Sequence, residues 1–310
     1  MKRFFAILTV AILSANLPIQ AQIPICSPDV PCFYVNLIGQ PAGKWTSPGH
    51  SRKGNCCGTT SPNRCTSFDI VLDTQAAMVS FNIASGATPS GSMFYQIDCG
   101  YQIPVGQPIC IVGAGPHHIT FCKPGNNQNT YIVTSIPKPI FPVDATVRLG
   151  CSKQLKTLGM EISSVTWTSV YPGIPGQYNS YLSCTSNCPN PIYTALAGAP
   201  AYVDYKICGS PIANECGYVA VCDTVRIYNV SALSVSVTPN PAQFCSSGGC
   251  VQLNASASGG AGAYTYTWKD QSGNTVGTDS TYQTTVEGIY AVEVRDELYD
   301  PLLCPPLRFW

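Results

Sequence analysis

The sequence predicts an all-β protein made of tandem β-sandwich modules. Only 10% of its 310 residues are charged, whereas a typical soluble domain carries about 25%. Its 17 Tyr, 27 Gly and 26 Pro are strand and turn residues, and few stretches have the Ala, Leu, Glu and Lys content that favours helices. Short runs of alternating apolar and polar residues recur between Gly, Pro and Asn, as expected for strands that bury one face.

The N-terminus predicts secretion. Lys2 and Arg3 precede an apolar run that is too short to remain as a membrane anchor, and Ala21 ends a plausible cleavage site. Residues 1–22 are therefore interpreted as a signal peptide, and the mature protein is expected outside the cell or on its surface. A lipoprotein with lipid on Cys26 is the alternative, but that cysteine lacks the usual small neighbours. No later stretch is long and apolar enough to form a transmembrane segment.

The chain contains 17 cysteines, all beyond the signal peptide. Because extracellular cysteines usually oxidise, about eight disulfides are expected. Eight cysteines precede residue 137, six lie between residues 151 and 222, and three follow. The first two groups can close internally, and the third leaves one thiol over, for which Cys250 is a candidate. The disulfide candidates of the later groups are Cys151, Cys184, Cys188, Cys208, Cys216, Cys222, Cys245 and Cys304.

Zinc is the alternative fate of these cysteines. Cys184 and Cys188 have the spacing of a structural zinc site, and Cys56 and Cys57 with Cys65 form a second group. Neither group is followed by another close pair at the distance found in zinc fingers. Disulfides are therefore favoured, and the sequence predicts no metal and no other cofactor.

The alternation divides the chain into three modules. The first covers residues 23–137, and its strands point Phe68, Ile70 and Leu72 to one face. Prolines at 137 and 139 predict a joint, because proline cannot continue the interior of a sheet. The second module covers residues 138–230 and points Val165 and Trp167 inward. A cysteine, Cys151, precedes this Trp-bearing strand, which is the immunoglobulin-like pattern in outline.

The third module covers residues 231–305. Val251, Leu253 and Ala255 alternate with polar residues, and Trp268 lies at the end of an alternating strand that predicts a core position for it. Tyr290, shortly after a turn glycine, is a candidate tyrosine corner. Residues 306–310 are interpreted as a tail of an interrupted chain, with further modules expected beyond it.

Several of these runs resemble secreted, multi-module surface proteins of gliding bacteria of the Bacteroidetes type. In the third module they are 237–241, 251–255, 264–268 and 288–292, and in the first module Cys56-Cys57, 65–72, 94–99 and 121–127. The resemblance implies two immunoglobulin-like or PKD-like domains after the first sandwich, and an adhesin function. In that family an early and a late cysteine flank the strands of each repeat, and Cys245 and Cys304 match those positions, with Cys250 as an extra. The family's C-terminal sorting domain has no counterpart here.

Few side chains suggest chemistry. The histidines are His50, His117 and His118, and the last two must point to opposite faces of a strand, so they cannot serve one site. No nucleophile elbow and no zinc-protease helix is present. No pair of carboxylates stands out as a glycosidase pair. The sequence therefore predicts a protein that is not an enzyme.

Three features are candidates for binding. Asp296, Glu297 and Asp300 could hold calcium, but they lack the spacing of a dedicated loop, and a solvated interdomain loop is favoured. Residues 125–129 form a polar loop that could hydrogen-bond a sugar, although such runs are usually turns. Exposed tyrosines such as Tyr101 or Tyr171 could form a stacking platform.

The leading functional hypothesis is a non-catalytic, adhesive cell-surface protein whose rigid β-modules bind extracellular glycans or surface proteins weakly and multivalently. The alternative is an ancillary, non-catalytic region of a secreted hydrolase. The charges balance, with 16 basic and 16 acidic residues, so nucleic acid is not indicated as a partner.

Overall fold

A computed structural model describes residues 31–51, 63–84, 93–124, 128–243 and 249–309. Over these residues the protein is all-β, as predicted, and its apolar side chains form a separate core in each of three sandwiches. The helical segments described are short 3₁₀ helices at Ile162–Ser164, Asn179–Tyr181 and Asn214–Cys216. In the described ranges, no helix is both long and apolar enough to cross a bilayer. The predicted signal peptide, Cys26, Cys56, Cys57 and Cys245 lie outside the described residues.

The first sandwich pairs a five-stranded sheet, in the order β1-β4-β9-β6-β7, with a four-stranded sheet, in the order β2-β11-β5-β8; β3 and β10 form a separate pair. Strand β1 runs parallel to β4. The strands are β1 Phe33–Leu37, β2 Lys44–Thr46, β3 His50–Ser51, β4 Asn63–Leu72, β5 Ala76–Ile83, β6 Phe94–Ile97, β7 Ile103–Pro104, β8 Ile109–Cys110, β9 His117–Pro124, β10 Gln128–Asn129 and β11 Tyr131–Pro137.

An aromatic cluster fills this first core. The ring of Phe81 lies 5.1 Å from that of Phe68, 5.5 Å from Phe121 and 5.8 Å from Tyr131, measured between centroids. Phe68, Ile70 and Leu72 are fully buried, so the predicted inward face of β4 is confirmed. Aromatic pairs at these separations add to the free energy gained by burying their area.

The second sandwich pairs a sheet in the order β12-β17-β16-β14 with the shorter pair β13-β15. Its strands are β12 Ala145–Arg148, β13 Ser152–Gln154, β14 Thr166–Tyr171, β15 Ile192–Thr194, β16 Tyr202–Gly209 and β17 Val221–Val230. Val165 and Trp167 are buried as predicted. The indole N–H of Trp167 donates to the carbonyl of Cys188 at 2.8 Å, which satisfies the one polar atom of a buried ring.

The third sandwich pairs the sheet β18-β19-β22 with the sheet β21-β20-β23-β24. Its strands are β18 Ser234–Thr238, β19 Val251–Ser258, β20 Thr265–Lys269, β21 Thr275–Gly277, β22 Thr281–Thr284, β23 Ala291–Arg295 and β24 Leu307–Phe309. The prediction that residues 306–310 are a tail is wrong for residues 307–309, which form β24. Val292 pairs with Phe309 and Val294 with Leu307, so the chain after the prolines returns as a strand and completes the sheet.

Disulfides join neighbouring sandwiches, which corrects the expectation that the first two groups of cysteines close internally. Cys110 bonds to Cys216, and Cys151 bonds to Cys304. Cys304 is therefore not the partner of Cys245. Cys184 also bonds to Cys188, and Cys208 to Cys222; Cys32, Cys65, Cys99 and Cys122 are disulfide-bonded as well, and among the described cysteines Cys250 is the free one. Spacing along the chain could not reveal that loops of different sandwiches meet.

A buried ion pair lies beside the Cys151–Cys304 disulfide. Arg148 Nη1 donates to Asp296 Oδ1 at 2.8 Å, and the two side chains are 6% and 0% exposed. Arg148 also donates from Nη2 to the carbonyl of Pro305 at 2.8 Å and points Nε at Cys151 Sγ, 3.2 Å away. The second and third sandwiches are thus held by a covalent bond and a buried ion pair at the same junction.

Burial of tyrosine hydroxyls makes the stability of the second sandwich sensitive to alkaline pH. Burial raises the pKa of Tyr193 from the usual 10.0 to about 12, although its hydrogen bond to Asn229 opposes the shift. A folded-state pKa above the unfolded value means that the folded protein holds its proton more tightly. The contribution to stability is therefore complete below pH 10 and is lost as the pH rises through 12.

We expect the free energy of unfolding, measured with urea, to fall between pH 10 and pH 12, the pKa range of Tyr193. Burial raises the pKa of Tyr205 in the same direction, so part of the fall should remain in a Tyr193→Phe variant. A variant whose stability fell with pH as steeply as the wild type would contradict the role of Tyr193.

Candidate functional site

Three tyrosines lie side by side on the outer face of the second sandwich. Tyr171, Tyr202 and Tyr228 come from the neighbouring strands β14, β16 and β17, and Tyr202 is directly opposite Tyr228 in the ladder. Strand alternation explains their position, because the residues between them point into the core. Arg226 and Asp204 occupy the next outward positions, also directly opposite each other. These five residues are called the tyrosine row below.

The side chains of the tyrosine row contact one another, and Tyr171 stacks on Tyr202, while Tyr202 and Tyr228 are tilted by 51° at 6.2 Å. The rings of Tyr171 and Tyr202 are 5.4 Å apart and nearly parallel, with an interplanar angle of 23°. The guanidinium carbon of Arg226 lies 4.0 Å from the centroid of Tyr202 and 6.0 Å from that of Tyr228. Tyr171 and Tyr228 are 51% and 41% exposed. The row therefore offers tyrosines at both ends that are open to solvent.

An ion pair fixes the centre of the row. Arg226 donates from Nε and Nη2 to the two carboxylate oxygens of Asp204, at 2.7 and 2.9 Å. This hydrogen bonding to Asp204 raises the pKa of Arg226 further above its ordinary value. A hydrogen bond with Tyr171 raises the pKa of Tyr202, which keeps its hydroxyl protonated. The backbone N–H of Arg226 donates to Asp144 at 2.8 Å, which ties the strand to the preceding loop.

The chemistry that this surface can perform is binding. A tyrosine combines an apolar ring face with a hydroxyl that donates and accepts hydrogen bonds. Arg226 uses two of its donors on Asp204 and retains others, because a guanidinium carries five N–H groups. The exposed rings of Tyr171 and Tyr228 fit apolar surface of a ligand, while the hydroxyls of the row and the remaining N–H groups of Arg226 fit polar groups. Tyr and Arg are also the residues that most often dominate binding surfaces.

The structure places the predicted histidines apart from this row. His117 Nδ1 lies 3.3 Å from Asp98 Oδ2, and His118 Nδ1 lies 2.7 Å from Asp69 Oδ1. The two histidines thus use different carboxylates, in agreement with the prediction that adjacent strand residues cannot share a site. His50 is buried, and its ring packs edge-on against Phe33 at 5.3 Å. Among the described residues, no three metal-ligating side chains gather in one place.

The three carboxylates considered for calcium are engaged in hydrogen bonds within the chain. Asp296 pairs with Arg148 and accepts from the backbone N–H of Ala261 at 3.1 Å. Glu297 accepts from the N–H of Ala263 at 3.4 Å, and Asp300 accepts from backbone N–H groups of the following turn. Interpreting Asp296 as part of a solvated loop is therefore wrong, because its side chain is buried at the junction.

Of the remaining candidates, only Tyr171 belongs to the row. Tyr101 is exposed on the first sandwich. In the polar loop, residues 125–127 lie outside the described residues, and Gln128 and Asn129 pair with β3. Cys184 and Cys188, considered for zinc, are bonded to each other. Tyr202, Tyr228, Arg226 and Asp204 were not among the predicted candidates. Their signal is the placement of Tyr202 with Asp204, and of Arg226 with Tyr228, on the outward positions of two paired strands.

Comparison with known proteins leaves the family of this chain open. No family model matches the sequence, and no curated protein matches it. Among solved structures, domains 3–5 of Drosophila OTK are 12% identical, cover 90% of this chain and 93% of their own, and give a TM-score of 0.31. The N-terminal eight immunoglobulin domains of Down Syndrome Cell Adhesion Molecule are 12% identical, cover 87% of this chain and 41% of their own, and give a TM-score of 0.35. Domains A168–A170 of titin are 12% identical, cover 86% of this chain and 96% of their own, and give a TM-score of 0.27. Similarities of this size carry no argument about function.

Proposed function

We propose that this chain is a secreted, non-catalytic, adhesive surface protein that binds glycans through the tyrosine row of its second sandwich. The observation that carries the proposal is the row of Tyr171, Tyr202 and Tyr228 around the Arg226–Asp204 ion pair, with Tyr171 stacked on Tyr202 and an exposed tyrosine at each end. Sugar rings have apolar C–H faces bordered by hydroxyls. The exposed rings of Tyr171 and Tyr228 offer apolar surface for such a face, and the hydroxyls of the row with the guanidinium of Arg226 offer hydrogen bonds for the bordering hydroxyls.

The order already present in the row supports this proposal. Binding normally costs free energy because mobile side chains must be fixed, at about 0.5–1.5 kcal/mol for each one. Here Tyr202 is held between Tyr171 and Arg226, and Arg226 is held by Asp204, so less of that cost falls on binding. Small sites of this kind suit weak binding that repeated copies on a surface strengthen. The resemblance to bacterial surface adhesins agrees with such a role.

The test is a glycan array followed by affinity measurements on the hits. We expect Tyr171→Ala and Tyr202→Ala to weaken glycan binding by about tenfold or more, the scale of a residue that dominates an interface. The matched control is Tyr34→Ala, because Tyr34 is a strand tyrosine that is 77% exposed on the first sandwich. Its affinity should equal that of the wild type.

Two outcomes would contradict the proposal. One is an array with no hit for the intact protein, which would leave the row without a glycan ligand. The other is equal loss of affinity in the Tyr34 control, which would show that the row is not the site. A protein partner captured in place of glycans, and lost in the Tyr202 variant, would assign the same surface to a different class of ligand.

A further inference from the structure

The guanidinium of Arg226 is already paired with a carboxylate of the chain. Its Nε and Nη2 donate to the two oxygens of Asp204 at 2.7 and 2.9 Å, which is the geometry of a bidentate pair. Its carbon also lies 4.0 Å from the ring centroid of Tyr202, so the ring covers one side of the group. The edge of the guanidinium formed by Nε and Nη2 is therefore closed to a carboxylate of a ligand.

Two carboxylates lie close to this one guanidinium. Besides Asp204, Asp144 is held at the same strand, because its Oδ1 accepts from the backbone N–H of Arg226 at 2.8 Å. The side chain of Arg226 is 38% exposed and that of Asp204 is 14% exposed, so a ligand that reaches the first comes close to the second. An acidic ligand would bring a third negative charge to one positive charge. Like charges placed together in this way act against binding.

We propose that the tyrosine row selects uncharged glycans over acidic ones, and that Asp204 determines this selectivity. The inference rests on the proposed function and names the class of its ligand. The hydroxyls of a neutral sugar need hydrogen-bonding groups, which the tyrosine hydroxyls and the remaining N–H groups of Arg226 supply. Removing water from a carboxylate costs far more than removing it from a hydroxyl, and only an unpaired cation offsets that cost. Here the cation is paired before the ligand arrives.

Lys206 is a second cation on this face, and it lies away from the tyrosines. It occupies the outward position of β16 that follows Asp204, and its ladder partners are Thr168 and Thr224. Its position is four residues from Tyr202, which is about 13 Å along a strand. Exposed charges that far apart are largely screened at physiological salt. A carboxylate bound at the tyrosines would therefore be close to Asp204 and remote from Lys206.

The direct test compares matched neutral and acidic glycans on the wild-type protein. The probes are oligomers of galactose and of galacturonic acid of equal length, and N-acetyllactosamine with and without a terminal sialic acid. We expect each neutral glycan to bind about tenfold or more tightly than its acidic counterpart. Its affinity should also stay constant between about 50 and about 500 mM salt, because no ion pair forms across the interface.

Asp204→Asn tests the role assigned to this residue. The substitution keeps the size of the side chain, and its amide oxygen can still accept a hydrogen bond from Arg226. The charge of the guanidinium is then free to pair with a ligand. We expect acidic glycans to bind this variant about tenfold more tightly than the wild type, the scale of one charge-assisted hydrogen bond. The gain should shrink as salt is added, and Arg226→Gln in the same chain should abolish it.

The matched control is Asp223→Asn, which makes the same substitution on the same strand. Asp223 is exposed, and its Oδ1 accepts from the N–H of Thr224. The control changes the net charge of the protein by the same amount, so it reports any general effect of charge. Its preference for neutral glycans should equal that of the wild type. Thermal melts establish that each variant is folded, and the wild-type comparison holds without any variant.

Two results would overturn this inference while glycan binding at the row stands. One is acidic glycans that bind the wild type as tightly as their neutral counterparts, with both weakened by Tyr202→Ala. The other is an Asp204→Asn variant whose preference equals that of the wild type. Absence of binding to both members of every pair is a different result, which would overturn the proposed function and this inference with it.

Discussion

We expect Trp268→Ala to cost the third sandwich about 3–5 kcal/mol, the range for removing a buried aromatic side chain from a core. Trp268 is 1% exposed, and its ring lies 5.8 Å from that of Tyr282 at an angle of 29°. Its indole N–H donates to the carbonyl of Asp279 at 2.9 Å. The substitution therefore leaves a cavity in the core and also leaves the carbonyl of Asp279 without its hydrogen-bond donor. A loss of this size is a large share of the stability of one small domain.

Hydrogen exchange is the appropriate measurement, because several sandwiches in one chain need not unfold in a single step. Amides of β20 and β23 should exchange faster in Trp268→Ala, while those of β4 and β9 in the first sandwich keep their rates. Trp268→Phe keeps a ring in the core and should show a smaller change. Leu302→Ala is the control for a surface position, because Leu302 is exposed. Unchanged exchange in Trp268→Ala would show that the core assignment is wrong.

Inward positions could be predicted because alternation is a local property. The pattern around Val251, Leu253 and Ala255 fixes which face of β19 is apolar, and those residues are buried. The tyrosine corner at Tyr290 was also predictable, because it depends on a turn close by in the sequence. Its hydroxyl donates to the carbonyl of Val286 at 3.1 Å, the bond expected of a tyrosine corner. In each case the residues that matter are close together along the chain.

Contacts between sandwiches could not be predicted, because their partners are far apart along the chain. Asp296 is 148 positions from Arg148, and a local pattern of acidic residues gives no sign of that partner. Cys304 was assigned to its own module for the same reason. The tyrosine row was missed for a different reason, because alternation identifies a core face and says little about which outward residues touch. Tyr171 reaches the row only past an irregularity in the pairing of β14 with β16.

The buried ion pair at the junction leads to the last prediction. Asp296→Ala should destabilise the contact between the second and third sandwiches by about 3–5 kcal/mol, because it leaves a buried arginine without its partner. Arg148 is 6% exposed, so the loss of Asp296 leaves a largely desolvated guanidinium. The junction cannot readily repack around a lone guanidinium.

The rate at which a reductant cleaves the neighbouring disulfide measures this opening. Opening of the junction should expose Cys151–Cys304, so a mild reductant should cleave this bond at least tenfold faster in Asp296→Ala than in the wild type. Glu297→Ala is the matched control, because Glu297 is adjacent and exposed and makes one long hydrogen bond of 3.4 Å. The double replacement Arg148→Met/Asp296→Leu removes both charges and should restore much of the protection, since a buried pair can be replaced by apolar side chains at little cost. Equal reduction rates in Asp296→Ala and the control would mean that the ion pair contributes nothing to closing the junction.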